Sequence, residues 1–72
     1  MEANRVYTVP EVAALLQVGE ETVRRWLRRG ELQGFRLGGT KLGYRVRGTE
    51  LLRFVEARER ETAAEREGNA AA

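Results

Sequence analysis

Four arginines crowd into six residues of the stretch TVRRWLRRGEL, residues 22–32. Arg24, Arg25, Arg28 and Arg29 flank Trp26 and Leu27. A guanidinium is permanently charged and carries its donors in a planar fork. Its chemistry is therefore bidentate binding of carboxylates, phosphates or other paired acceptors. The crowding has a cost. Arg24/Arg28 and Arg25/Arg29 are like-charge i,i+4 pairs, each destabilising a helix by roughly 0.2–0.5 kcal/mol. Either these arginines form an ordinary solvated face, or an anion lies against them.

Other chemistries lack their residues. The 72-residue chain has no Cys and no His, and it also lacks Asp and Ser; all 11 acids are Glu. Serine and cysteine nucleophiles, a histidine base and the usual metal-ligand sets are excluded. No enzyme, cofactor or metal site is expected. Disulfide bracing is impossible, and a chain of this length has a small core. No apolar run approaches the ~20 residues of a membrane span. No basic-then-apolar leader begins the chain. A soluble, cytoplasmic protein is expected.

The net charge of +2 conceals an uneven distribution. Residues 22–47 carry eight basic side chains against the single acid Glu31, whereas residues 1–21 and 48–72 are each slightly acidic. A basic middle between acidic ends points to a polyanionic partner for the middle.

Three helices and a hairpin position these charges. In YTVPEVAALL, Thr8 and Glu11 form a capping box, and Pro10 sits in the first turn, where its missing N–H costs nothing. Tyr7 and Val12 occupy staple positions, and Val12, Leu15 and Leu16 continue an apolar stripe. The first helix is predicted over Val9 to about Leu16. The turn QVGE follows, with Val18 toward the core and Gly19 as N-cap or turn residue. The second helix is predicted from about Glu20 to Arg29, its first-turn acids opposing the helix dipole. Gly30 ends it in a left-handed conformation.

At about 100° per residue, Val23, Trp26 and Leu27 centre on one side of this helix and the four arginines on the other, about 180° away. Trp26 reads as core rather than as a stacking platform. Glu20→Arg24 and Glu21→Arg25 are favourable i,i+4 pairs that offset part of the repulsion. Beyond it, Phe35, Leu37, Leu42, Tyr44 and Val46 alternate with Arg36, Lys41, Arg45 and Arg47, which is strand periodicity. Gly38-Gly39 marks the turn, with strands near 34–37 and 43–47. Lys41 and Arg45 read as phosphate or groove contacts. Arg36 and Arg47 read equally well as charged guards of an exposed strand edge. The third helix is predicted from a Thr49 N-cap to about Arg66, with Leu51, Leu52, Phe54 and Val55 as core. Its pairs Glu50/Arg53, Glu56/Arg60 and Arg58/Glu61 mix signs, as a solvated face should. The second helix segregates its charge instead, which favours a polyanion contact.

The order is capped helix, short turn, basic helix, glycine stop, basic hairpin, third helix. In a helix–turn–helix the first helix braces the second, which enters the major groove by its N-terminal end. A hairpin beside it can reach the backbone or the minor groove.

The string YTVPEVAALLQVGEETVRRWLRRGELQGFRLGG…YRV resembles the excisionase/MerR-like winged helix–turn–helix family. ETVRRW is especially similar to the recognition helix of the lambda-excisionase type. The likeness spans about residues 7–55. It implies a mainly α fold with a small β-hairpin, in the order helix-helix-hairpin-helix. It further implies that Glu21, Thr22, Arg24, Arg25 and Arg28 face the major groove and that Lys41 or Arg45 serves the wing. Gly19 departs from the pattern, standing where a serine or aspartate cap is common.

The expected division is a flexible N-terminus over 1–6, a DNA-binding domain over 7–58, and a solvated helix extension with a disordered tail over 59–72. After Val55 the residues lack the apolar heptad spacing of a dimerisation coiled coil. A free monomer that assembles side by side on DNA is therefore expected. The function read from these residues is sequence-specific binding of duplex DNA, in transcription regulation or as an architectural factor in recombination. A recombinase or RNA polymerase is a candidate partner. The alternative is a protein-interaction module whose basic face docks on an acidic partner. RNA binding is weaker, because no aromatic stacking surface is evident.

Overall fold

The computed structural model describes residues 1–38 and 43–71. Its elements are β1 (Val6–Thr8), α1 (Val9–Leu16), α2 (Glu20–Arg29), β2 (Phe35–Arg36), β3 (Tyr44–Arg47) and α3 (Gly48–Ala71). The strands form one antiparallel sheet in the order β1-β3-β2. The architecture is mostly helical, with three helices and a small three-stranded sheet, consistent with a winged helix–turn–helix.

α1 starts as its residues dictate. The Thr8 hydroxyl accepts from the Glu11 amide at 3.3 Å, and the Glu11 carboxylate accepts from the Thr8 amide at 2.9 Å. Arg5 reinforces this corner, reaching the same carboxylate at 2.9 Å and lying over the Tyr7 ring. The helix ends on Gln17 in the left-handed region, φ 56°. Val18 donates back to Ala13 at 3.0 Å, which turns the chain through the α1–α2 corner. Gly19 is an extended N-cap without a side-chain bond, so the left-handed residue of this turn is Gln17 rather than the glycine. α2 ends on Gly30 at φ 73°, where an L side chain would be strained.

The core comprises Tyr7, Val9, Val12, Ala13, Val23, Leu27, Leu32, Val46, Leu51 and Phe54. Leu32 enters it because the reversal at Gly30 folds the chain back, with the Glu31 and Leu32 amides both donating to the Trp26 carbonyl. Several expected core residues sit further out, among them Leu16, Val18 and Val55, which are half-buried. Leu15 and Leu37 are exposed, and Leu52 is half-buried. Trp26 is half-buried at the core's rim, tilted against Phe54 with ring centroids 4.8 Å apart.

The hairpin is not the simple two-sided ribbon that alternation implies. Phe35 pairs with Arg45, and Arg36 with Tyr44. Directly paired residues share a face. Tyr44 and Val46 therefore face the core, whereas Phe35 shares the outer face with Arg45 and Arg47. Arg47 lies over the Phe35 ring at 5.6 Å, and Arg36 over Tyr44 at 4.8 Å. Gly39, expected in the turn, and Lys41 and Leu42, expected in the alternating segment, lie outside the described residues.

Strand β1 escapes the alternation rule because three residues run straight into a helix cap. It pairs Val6 with Arg47, Tyr7 with Val46 and Thr8 with Arg45. The segment before it is hydrogen-bonded at Glu2, Ala3 and Arg5. The Glu2 amide donates to the Tyr7 hydroxyl at 2.7 Å. The Arg5 carbonyl accepts from Gly48 at 2.8 Å and the Ala3 carbonyl from Thr49 at 3.1 Å. These carbonyls satisfy the first amides of α3, so the helix begins at Gly48 and needs no Thr49 side-chain cap. α3 also continues through Gly68 to Ala71, past the expected end near Arg66. Alanine, glutamate and arginine are good helix formers, and one glycine costs only about 1 kcal/mol against alanine.

Gly48 is the close-approach point. A Cβ there would stand 1.8 Å from the Glu2 carbonyl oxygen and 2.7 Å from its carbon. Backbone cannot yield as a flexible side chain can. Gly48→Ala is therefore expected to destabilise the fold by about 1–3 kcal/mol, the range for overpacking. Thermal melting reads the loss, and hydrogen exchange at the Thr49 amide should accelerate with it. An unchanged melt would contradict the clamp.

Candidate nucleic-acid interface

Burial sets the rotation of α2. Val23 is fully buried and Leu27 nearly so, against α1 and the core. Glu21, Arg25, Arg28 and Arg29 are exposed on the remaining surface, and Thr22 and Arg24 are half-buried beside them. The five residues of α2 expected to face a groove are thus brought together on one helix surface.

The structure also gives their internal partners. Arg24 bonds Glu20 at 3.1 Å, the expected i,i+4 pair. Glu21 does not take the expected Arg25. It reaches Arg28 at 2.8 Å, two turns along, and stands 3.8 Å from Arg24. Arg25 instead donates to the Thr22 hydroxyl at 3.3 Å. Arg28 folds back along the helix to meet the Glu21 carboxylate, against the helix dipole, which favours a cation in the last turn. Arg29 occupies the last turn, where a cation complements the helix dipole. On α3 the mixed-sign pairs form as expected: Arg53–Glu50 at 3.0 Å, Arg60–Glu56 at 3.6 Å and Arg58–Glu61 at 3.7 Å.

Arg45 stands apart from this set. It is half-buried on β3, donates to the Tyr44 carbonyl at 3.0 Å, and lies between Thr8 and Phe35 in the register. Lys41, the other expected wing residue, lies outside the described residues. Reading the sequence missed that Phe35 joins Arg45 and Arg47 on the outer face. Only the pairing register carries that signal, and it depends on turn geometry. Among the described residues there is no group of three side chains suited to a metal ion. A groove of about 570 Å³ lies between α2 and α3, lined by Leu16, Val18, Trp26, Phe54 and Val55 together with Arg58 and Arg66 of α3, and by none of the α2 arginines.

The helix–turn–helix order, the braced α2 and its exposed guanidinium face define the class: a helix–turn–helix protein with a sheet in the place of a wing. A family model described as "Helix-turn-helix domain" matches residues 6–59, three quarters of the chain, and the chain belongs to that family of DNA-binding domains. No curated protein and no solved structure matches it. No helix among the described residues is long and apolar enough to cross a membrane.

The Arg28 hydrogen bond and charge, followed by the charges of Arg24 and Arg25, hold the Glu21 carboxyl below its ordinary 4.5. Glu11 is lowered likewise, first by the Thr8 backbone and hydroxyl and then by Arg5. A carboxyl whose folded pKa is depressed contributes stability above its unfolded value and loses it as pH falls through the folded one. Stability from both groups should therefore hold above about pH 5 and decline below pH 4.5. Melting temperatures over pH 2.5–7 check the direction, falling as pH drops below about 4.5. Glu11→Gln should flatten the acid limb; an unaltered limb would contradict the assignment.

Proposed function

We propose that this protein binds duplex DNA sequence-specifically, with α2 in the major groove and the hairpin on the adjacent backbone or minor groove. The observation that carries the reading is the placement of Arg24, Arg25 and Arg28 on the free side of a braced helix, opposite Val23 and Leu27. The groove is about 12 Å wide and admits one helix. Arginine suits both tasks there, bidentate to guanine O6 and N7 or to phosphate. Thr22 and Glu21 sit in the leading turn, within reach of base edges. Glu21 can accept from the cytosine amino group. Lys41 and Arg45 serve the wing. The ETVRRW segment acts as a recognition helix of the lambda-excisionase kind.

The biological role is transcription regulation or an architectural part in recombination, alongside a polymerase or recombinase. The protein is a monomer free in solution and assembles side by side on DNA. After Val55 the apolar residues of α3 are alanines, too few for a coiled-coil seam.

Neutralising about six phosphates gives a log–log salt slope near −5. Arg24→Ala/Arg25→Ala should weaken binding and bring the slope toward about −3.5, since each phosphate left unneutralised removes about 0.9. Fluorescence anisotropy across a salt series measures both. A wild-type slope near zero, or unchanged affinity in the double variant, rejects the reading.

A further inference from the structure

The pairing on α2 carries more than charge balance. Arg28 and Glu21 are seven residues apart, about 10 Å of helix rise. Both side chains must lie flat along the surface to meet at 2.8 Å. They remain 54% and 71% exposed, so burial does not force them together. Glu21 also stands 3.8 Å from Arg24, which is already bonded to Glu20. Two carboxylates thus hold two of the three guanidiniums that would face DNA. Arg25, bonded to the neutral Thr22 hydroxyl, is differently placed.

We infer that Glu21 is a specificity-determining residue, which occupies Arg28 in the free protein and so penalises binding to duplexes of arbitrary sequence. This rests on the duplex-DNA reading above. An exposed ion pair is weak, so a phosphate can displace it. The displaced carboxylate then faces the same phosphate and repels it. Only a site that presents a donor to the carboxylate, the exocyclic amino group of cytosine or adenine, relieves that repulsion. Arg28 is then released to phosphate or guanine without leaving an unpaired acid against the backbone. Discrimination arises because the wrong sequence keeps the repulsive element. A glutamate in the leading turn of an otherwise basic helix, which looks counterproductive for a polyanion contact, thereby acquires a role.

The test compares wild type, Glu21→Gln, Glu65→Gln, Arg28→Ala and Glu21→Gln/Arg28→Ala on one duplex of randomised sequence, by anisotropy over 0.05–0.3 M salt. Circular dichroism checks that each variant keeps wild-type helicity. Glu21→Gln should tighten binding about five- to tenfold near 0.1 M salt and steepen the slope by about 0.9, the signature of one more phosphate neutralised. The added slope, which reports the released Arg28, should vanish in the Arg28→Ala background, where only the relief of repulsion remains. Glu65→Gln removes the same charge from the distal, solvent-exposed part of α3 and should leave the slope unchanged. The inference is overturned if Glu21→Gln leaves affinity and slope unaltered, if Glu65→Gln matches it, or if the added slope survives Arg28→Ala. In those outcomes wild-type binding persists and the DNA-binding reading stands. Absence of wild-type binding to any duplex removes that reading, and the inference with it.

Discussion

Burial of Val23 and Leu27 governs the rest of the molecule. Fully burying one such side chain contributes roughly 1.5–3 kcal/mol. The two arginine i,i+4 repulsions together cost at most about 1 kcal/mol. The apolar side therefore decides how α2 is rotated, and the guanidiniums must accept the opposite side. Glu20 and Glu21 recover part of the cost through pairs at 3.1 and 2.8 Å. A surface of like charge is thus imposed by the core, with the acids of the first turn restraining it.

The same core rotation needs a rigid frame around α2. α1 is held by the capping box at Thr8 and Glu11, and Arg5 ties that corner to the preceding strand. Strand β1 places Tyr7 against Val46, and both are buried. The carbonyls of Ala3 and Arg5 then supply the acceptors that the first amides of α3 lack. Beginning and end of the domain are thereby joined at Gly48, where only the missing Cβ permits the approach. On the far side, Arg58 lies over Phe54 and pairs with Glu31 at 3.7 Å, linking α3 to the loop that follows α2. α2 is consequently braced from three directions.

What was legible in the residues follows from how local each signal is. The bounds of α1 and α2 can be read directly, because caps at Thr8 and Gly30 and a 3.6-residue apolar period are local features. The arginine face is legible for the same reason, as are the mixed-sign pairs of α3. Strand β1 is not, since three residues carry no usable period and their pairing partners lie far along the chain, at Val46 and its neighbours. The side taken by Phe35 is equally hidden, because alternation gives a period without a register. The Thr49 cap fails because a backbone carbonyl from the N-terminal segment competes for the role, a tertiary effect. Glu21 turning to Arg28 instead of Arg25 reflects side-chain reach, which spacing rules at i,i+4 do not describe.

The central claim is that α2 presents its arginines to duplex DNA while α3 beyond the core stays free. Amide and arginine Nε–H chemical-shift mapping on adding a short duplex tests it most directly. Perturbations should concentrate on residues 20–29 and on Arg45, with residues 59–67 silent. Shifts confined to α3, with α2 silent, would contradict the claim and point to a protein-docking role for the basic face.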